Sequence, residues 1–190
     1  MEKIMKHYYI LIAISAAIYS GTSPVMMMII TKLIDYEAFA GSQLIFMIAG
    51  MVSAWIGKND KTWAVLKNCW KPVLVTELAL FPVVNLYTEV SGDLFLRWIL
   101  LGTLVEFVAD LTGIMWNHMM DKLGQARVMN QSLLFYRQCG ALVGMIIAYG
   151  FAKLFKYEPS LEIIFTMQSV VSMFVSVMFA YVLVKSKCME

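Results

Sequence analysis

With 190 residues, 61% of them hydrophobic and only 15% charged, and a mean hydropathy of +0.73, the chain is too apolar for a soluble domain, which sits near half apolar and a quarter charged. A net charge of +2, with the basic residues spread over the ends of apolar runs, excludes the clustered basic face of a nucleic-acid binder. No nucleophile elbow, phosphate-cradling glycine loop or HExxH is present, so the chain is not expected to be an enzyme.

A hydrocarbon core of about 30 Å takes roughly 20 apolar residues in a helix. That measure predicts six spans, at about 8–33, 37–57, 71–88, 94–120, 130–153 and 160–184. They occupy nearly all of 1–190, which reads as one all-α, polytopic transmembrane domain in contact with the lipid bilayer. The start, with Lys3 and Lys6 ahead of an apolar run from Tyr8, imitates a secretory signal. The run reaches Leu33, long enough to span, so a retained first helix is expected.

Lysine and arginine at the span ends set orientation. Lys3, Lys6, Lys58, Lys61, Lys67, Lys71, Lys122, Arg127, Lys185 and Lys187 fall on one side, against Lys32, Arg97, Lys153 and Lys156 on the other. Both termini are therefore expected on the cytoplasmic face of a cell (inner) membrane.

In the first span, Gly21-Thr-Ser-Pro24 predicts a kink or short break, because proline lacks a donor and crowds the preceding turn. The alternating small residues Ala13 and Ala17 have the spacing of a helix-docking face. The second span carries Gly41, Gly50, Ala54 and Gly57, which permit close helix approach. The third is expected to begin at Lys71-Pro72, since proline is tolerated in a first turn. It contains Glu77, about six residues from its cytoplasmic end, together with Pro82 and Asn85.

The fourth span carries the most chemistry. Glu106, Asp110, Gly113 and Asn117 stand at offsets of 0, 4, 7 and 11, one face of a helix. A polar stripe is costly against lipid, so it is expected to face protein or water, either lining a substrate cavity or forming a buried structural network. In the fifth span Arg137 lies about one turn inward of the midplane, at the depth of Asp110. An Asp110–Arg137 ion pair is expected on that ground. It leaves Glu106 as the midplane acid, whose charged form desolvation disfavours, suited to proton or cation coupling. The same span holds Gly140-x-x-x-Gly144, which brings helices together. In the sixth, Gln168, Ser169, Ser172 and Ser176 make a weakly polar edge.

Cys69, Cys139 and Cys188 show no CxxC or Cys/His spacing, so free thiols and no metal or other cofactor are expected. Among sixteen methionines, the pairs Met47/Met51 and Met115/Met119 have i,i+4 spacing, and His118 is adjacent to the second pair. Thioethers suit copper(I), but so many methionines produce such pairs by chance, and core filling is the better reading.

Six spans with both termini inside, the connection MMDKLGQAR with Asp121, Lys122, Gly124 and Arg127, and the run from Arg127 through Tyr136-Arg137 to Gly140 and Gly144 together resemble one half of a major facilitator superfamily transporter. The resemblance is diffuse over the chain and most specific over about 121–150. It implies a second, parallel half, which a second copy of this chain would supply.

The expected function is accordingly secondary transport of a small solute or ion, proton- or cation-coupled, by a parallel homodimer of half-transporters. Its substrate and coupling residues are Glu106, Asp110, Arg137, Asn117 and Glu77. Two other readings fit the same length. One is a substrate-binding membrane subunit of an ATPase-driven vitamin uptake system, docking through Ala13-x-x-x-Ala17. The other is a non-transporting accessory protein whose charges only fix helix pairing.

Overall fold

The computed structural model describes residues 2–33, 36–91, 93–124, 126–155 and 160–187. Within them six α-helices follow one another: α1 Glu2–Leu33, α2 Tyr36–Lys58, α3 Asp60–Ser91, α4 Leu94–Leu123, α5 Ala126–Phe155 and α6 Leu161–Ser186. Five are long and apolar enough to cross a membrane. Counting α3 as one span, its arms Asp60–Val75 and Leu78–Leu86 meeting at a 42° bend, makes six. The protein is an all-helical, multi-pass membrane protein.

α1 runs unbroken through Pro24, so of the expected kink or short break the break is excluded, and α3 departs from expectation. The Thr22 hydroxyl donates to the Ile18 carbonyl at 2.6 Å, the back-bond a threonine makes within its own helix. α3 begins at Asp60 rather than at Lys71. Asn59 is the reason: its side-chain oxygen accepts the backbone N–H groups of Lys61 at 3.0 Å and Thr62 at 3.3 Å, the bonds of a helix N-cap. The Thr62 hydroxyl donates to the Ile56 carbonyl at 2.7 Å and ties the new helix to the end of α2. The lysines that look like loop residues in the sequence are thus helical. Pro72 and Pro82 both lie inside α3. The bend precedes Pro82 by one turn, where the Leu78 carbonyl loses its helical donor to the proline ring.

The other ends follow their sequence signals. Asp93 caps α4 by accepting from Leu96 N–H at 2.9 Å. Gly124 closes the same helix at φ 64°, its N–H reaching the Asp121 carbonyl, the left-handed position glycine takes without a Cβ clash. Ser160 precedes α6, its hydroxyl accepting from Ile163 N–H at 3.4 Å.

The helices gather into two compact units. The terminal unit comprises α1, α5 and α6, and the middle unit α2, α3 and α4.

In the middle unit α2 and α4 run parallel, since their contacts keep a constant register. Trp98 Nε1 donates to Ser42, 56 residues away, and Ser53 donates to Asp110, 57 residues away. Between these levels Phe46 packs edge-on against Trp98 with ring centres 5.3 Å apart and covers Gly102, where a Cβ would strike its ring. α3 lies antiparallel to α4, with Asn85 against Arg97 at one end and the Trp63 ring 5.0 Å from that of His118 at the other. Leu74, Phe81, Met115 and Met119 are buried. Met47 and Met51, in contrast, are 68% and 71% exposed, so one methionine pair fills the core and the other faces outward.

In the terminal unit α1 and α5 also run parallel. Tyr9 stacks on Tyr136 at 5.5 Å; one turn further Gly140 lies on the Ala13 backbone, and a turn beyond that Gly144 lies on Ala17. A side chain on either glycine would overlap that backbone, which is the physical content of the small-residue spacing. α6 runs antiparallel to α1, with Phe179 against Tyr8 at 5.9 Å, Ser172 on the Tyr19 hydroxyl at 2.7 Å, and Gln168 donating to Thr22 at 2.9 Å.

Candidate functional site

The stripe on α4 is positioned by the parallel packing of α2. Gly50 and Ser53 present a small, polar surface to α4, and Asp110 turns onto it. A Cβ on Gly50 would stand 3.0 Å from Asp110 Oδ2, so that glycine makes room for the carboxyl group. Asp110 is half-buried there. Ser53 Oγ is completely buried with it, 2.8 Å from the Gly50 carbonyl and 2.9 Å from Asp110 Oδ2.

The Ser53 hydroxyl carries one proton, which the Gly50 carbonyl and the Asp110 carboxyl group share as acceptors.

The remainder of the stripe is open. Glu106 and Asn117 are exposed, and nothing lies within 4 Å of a Cβ placed on Gly113. Glu106 and Asn117 thus stand outside the packing that seats Asp110. One carboxyl group and one carboxamide, three turns apart, point away from the packed core on a helix that is otherwise apolar enough to span. Lipid tails give neither group a hydrogen-bonding partner, so such positions are occupied by water, solute or another protein surface.

Arg137 is exposed on α5. It belongs to the terminal unit and Asp110 to the middle one, so the expected ion pair between them rests on depth alone. Within its own unit, Asp110 accepts from Ser53 of α2. Glu77 lies in α3, and its side chain falls outside the described ones.

Two polar contacts of the middle unit were not expected. Arg97 reads in the sequence as a charge at the outer membrane surface, but it is 4% exposed, with Nε and Nη2 donating to Asn85 Oδ1 at 3.2 and 2.6 Å. The available signal was its place only four residues inside a helix that turns back on α3, which brings it level with Asn85. Ser53, the partner of Asp110, stands three residues beyond Gly50, and its signal is that it shares a helix face with Ser42, three turns earlier. Among the described residues no three His, Cys, Asp or Glu side chains gather as a metal site would require.

Comparison of the chain with protein-family models, with curated proteins and with solved structures finds no match.

Proposed function

We propose that this protein is a secondary transporter of a small solute, coupled to a proton or cation, in which the Glu106–Asp110–Asn117 stripe of α4 lines the path and two copies assemble in parallel as half-transporters. The observation that carries this reading is the open polar face of a membrane-spanning helix. Glu106 and Asn117 are exposed, and Asp110 is seated against Ser53 of the neighbouring helix. A chain with an even number of spans returns to the side it started from, so two copies can pair in the same orientation and enclose the face that each leaves open. With three acids and one arginine among the candidate residues, Glu77, Glu106, Asp110 and Arg137, the favoured solute is cationic or neutral. Arg137 enters as the counter-charge that sets how much negative charge the path retains.

The alternative of a subunit docking on an ATPase module through Ala13 and Ala17 is disfavoured, because α5 covers that spacing with Gly140 and Gly144. The test of coupling is Glu106→Gln in proteoliposomes screened against a panel of cationic and neutral solutes under an imposed pH or sodium gradient. Transport by the variant is expected to lose its gradient dependence while the protein still inserts. Unchanged gradient dependence rejects the assigned role.

A further inference from the structure

Within the α4 stripe one position carries no side chain. Gly113 stands between Asp110 and Asn117, whose levels along the helix axis are about 10.5 Å apart on nearly one face. Nothing lies within 4 Å of a Cβ placed on Gly113, so neither flanking side chain folds over it. The glycines where α2 packs on α4 are different: a Cβ on Gly50, Gly57 or Gly102 meets a side chain of the opposite helix. Glycine weakens a helix, and close packing explains its use at those three positions. At Gly113 no neighbour approaches, so packing does not explain it.

The groups that bracket the gap have bonding capacity to spare. Asp110 accepts from Ser53 at Oδ2 and makes no other hydrogen bond or ion pair among the described residues, which leaves Oδ1 as an acceptor. The exposed Asn117 carboxamide has no partner among them either, so it offers both an acceptor and donors.

Charges of both signs surround the gap. On α4, Glu106 lies one turn before Asp110 and Asp121 one turn after Asn117, while the exposed Lys122 projects about 140° around the helix from Asn117. The parallel register of α2 puts Lys58 near the level of Met115. The antiparallel register of α3 puts Lys67 and Lys71 near those of Ile114 and Asp110, and Asp60 beyond Asn117. Lys58 and Lys71 are exposed, Lys71 Nζ lying 5.5 Å from the Trp70 ring centre. No lysine pairs with Asp110 among the described residues, so its carboxyl group remains available to a solute.

We propose that Gly113 is the floor of a seat for a small primary amine. The ammonium group donates to Asp110 Oδ1, the body lies over the bare Gly113 backbone, and the far end meets the Asn117 carboxamide. The seat deepens the transport reading and rests on it for the path by which the solute arrives. Gly113 then limits solute size, because a side chain there would take the space of the solute.

The test uses the full-length protein in lipid bilayers, with Cys69, Cys139 and Cys188 replaced by serine and Gly113→Cys introduced. Two methanethiosulfonates of similar size are compared, one aminoethyl and one sulfonatoethyl, each rate divided by that of the same reagent with free cysteine in solution. The corrected aminoethyl rate is expected to be about tenfold the higher, the lower end of what a focused charge does to an encounter rate. Asp110→Asn is expected to remove most of that ratio. Excess ethylammonium is expected to slow the labelling, whereas tetraethylammonium, which is bulkier and has no N–H, is not. Equal corrected rates, a ratio that survives Asp110→Asn, or labelling indifferent to ethylammonium overturns the seat and leaves Glu106→Gln to judge coupling separately. A Gly113→Cys protein that does not fold overturns it too, since the space would not be open. If Asp110→Asn does not fold, the ethylammonium competition decides the matter.

Discussion

Asp110 illustrates how a charge is made tolerable in an apolar helix. Gly50 leaves space, Ser53 supplies a polar partner, and the carboxyl group sits 2.9 Å from a hydroxyl that also faces the Gly50 carbonyl. Ser53→Ala is expected to destabilise the middle unit by roughly 0.5–1.5 kcal/mol, the usual worth of a side-chain hydrogen bond within a bilayer, read as a lowered unfolding midpoint in detergent. Asp110→Asn, whose amide oxygen can accept from Ser53 in place of the carboxyl oxygen, is expected to insert and fold with wild-type stability while losing any pH dependence of transport. A strongly destabilised Asp110→Asn would show that the charged carboxylate is the form the fold requires. At the other end of the same helix, Asn85→Leu is expected to cost about 1–3 kcal/mol, since it removes an acceptor from the buried Arg97 guanidinium.

At this scale the sequence was partly legible. The four-residue spacing of Glu106 and Asp110 placed both on one face, as found. The partner of Asp110 was not legible, because depth arithmetic says which residues share a level and nothing about which helices are neighbours. That arithmetic offered Arg137, which belongs to the other unit; within its own unit Asp110 meets Ser53 on the adjacent parallel helix. Arg97 was misplaced for the opposite reason: a charge near a span end reads as solvated until the neighbouring helix is seen to carry Asn85.

Among the elements, the α1–α5 crossing depends most on single atoms. Both halves of it, Ala13/Ala17 and Gly140/Gly144, were visible as small-residue spacings, but sequence alone did not match one to the other. Their packing leaves no room for a side chain on α5 at this level. Gly144→Val is expected to force the helices apart at a cost of about 1–3 kcal/mol, the range for overpacking, whereas the same change at Gly113, which faces open space, is expected to leave the unfolding midpoint nearly unchanged. Comparable losses at the two glycines would contradict the packing described. α3 shows where hydropathy misleads. Lys61, Lys67 and Lys71 lower the apolar score of its first arm, yet the Asn59 cap starts the helix at Asp60, giving a rod of 32 residues, about 48 Å long against a core of about 30 Å. The 42° bend redirects that excess length.

For the molecule as a whole, hydropathy alone gave the helix order, because each span must satisfy its backbone internally and announces itself as a long apolar run. The grouping of α1 with α5 and α6, and of α2 with α3 and α4, was not readable from the same pattern, since apolar faces carry no address. Both units repeat one arrangement, a parallel pair of helices with a third antiparallel to one of them. The middle unit adds an open polar face on α4, and on that face the functional reading rests. Its most direct test needs no known substrate. In a background with Cys69, Cys139 and Cys188 replaced by serine, Glu106→Cys and Asn117→Cys are compared with Met47→Cys and Met51→Cys on the outward apolar face of α2, using a membrane-impermeant thiol reagent on protein in lipid bilayers. If the stripe lines a wet path, positions 106 and 117 react readily and positions 47 and 51 do not; reaction at 106 and 117 no faster than at 47 and 51 would place the stripe against lipid or dry protein and contradict the account.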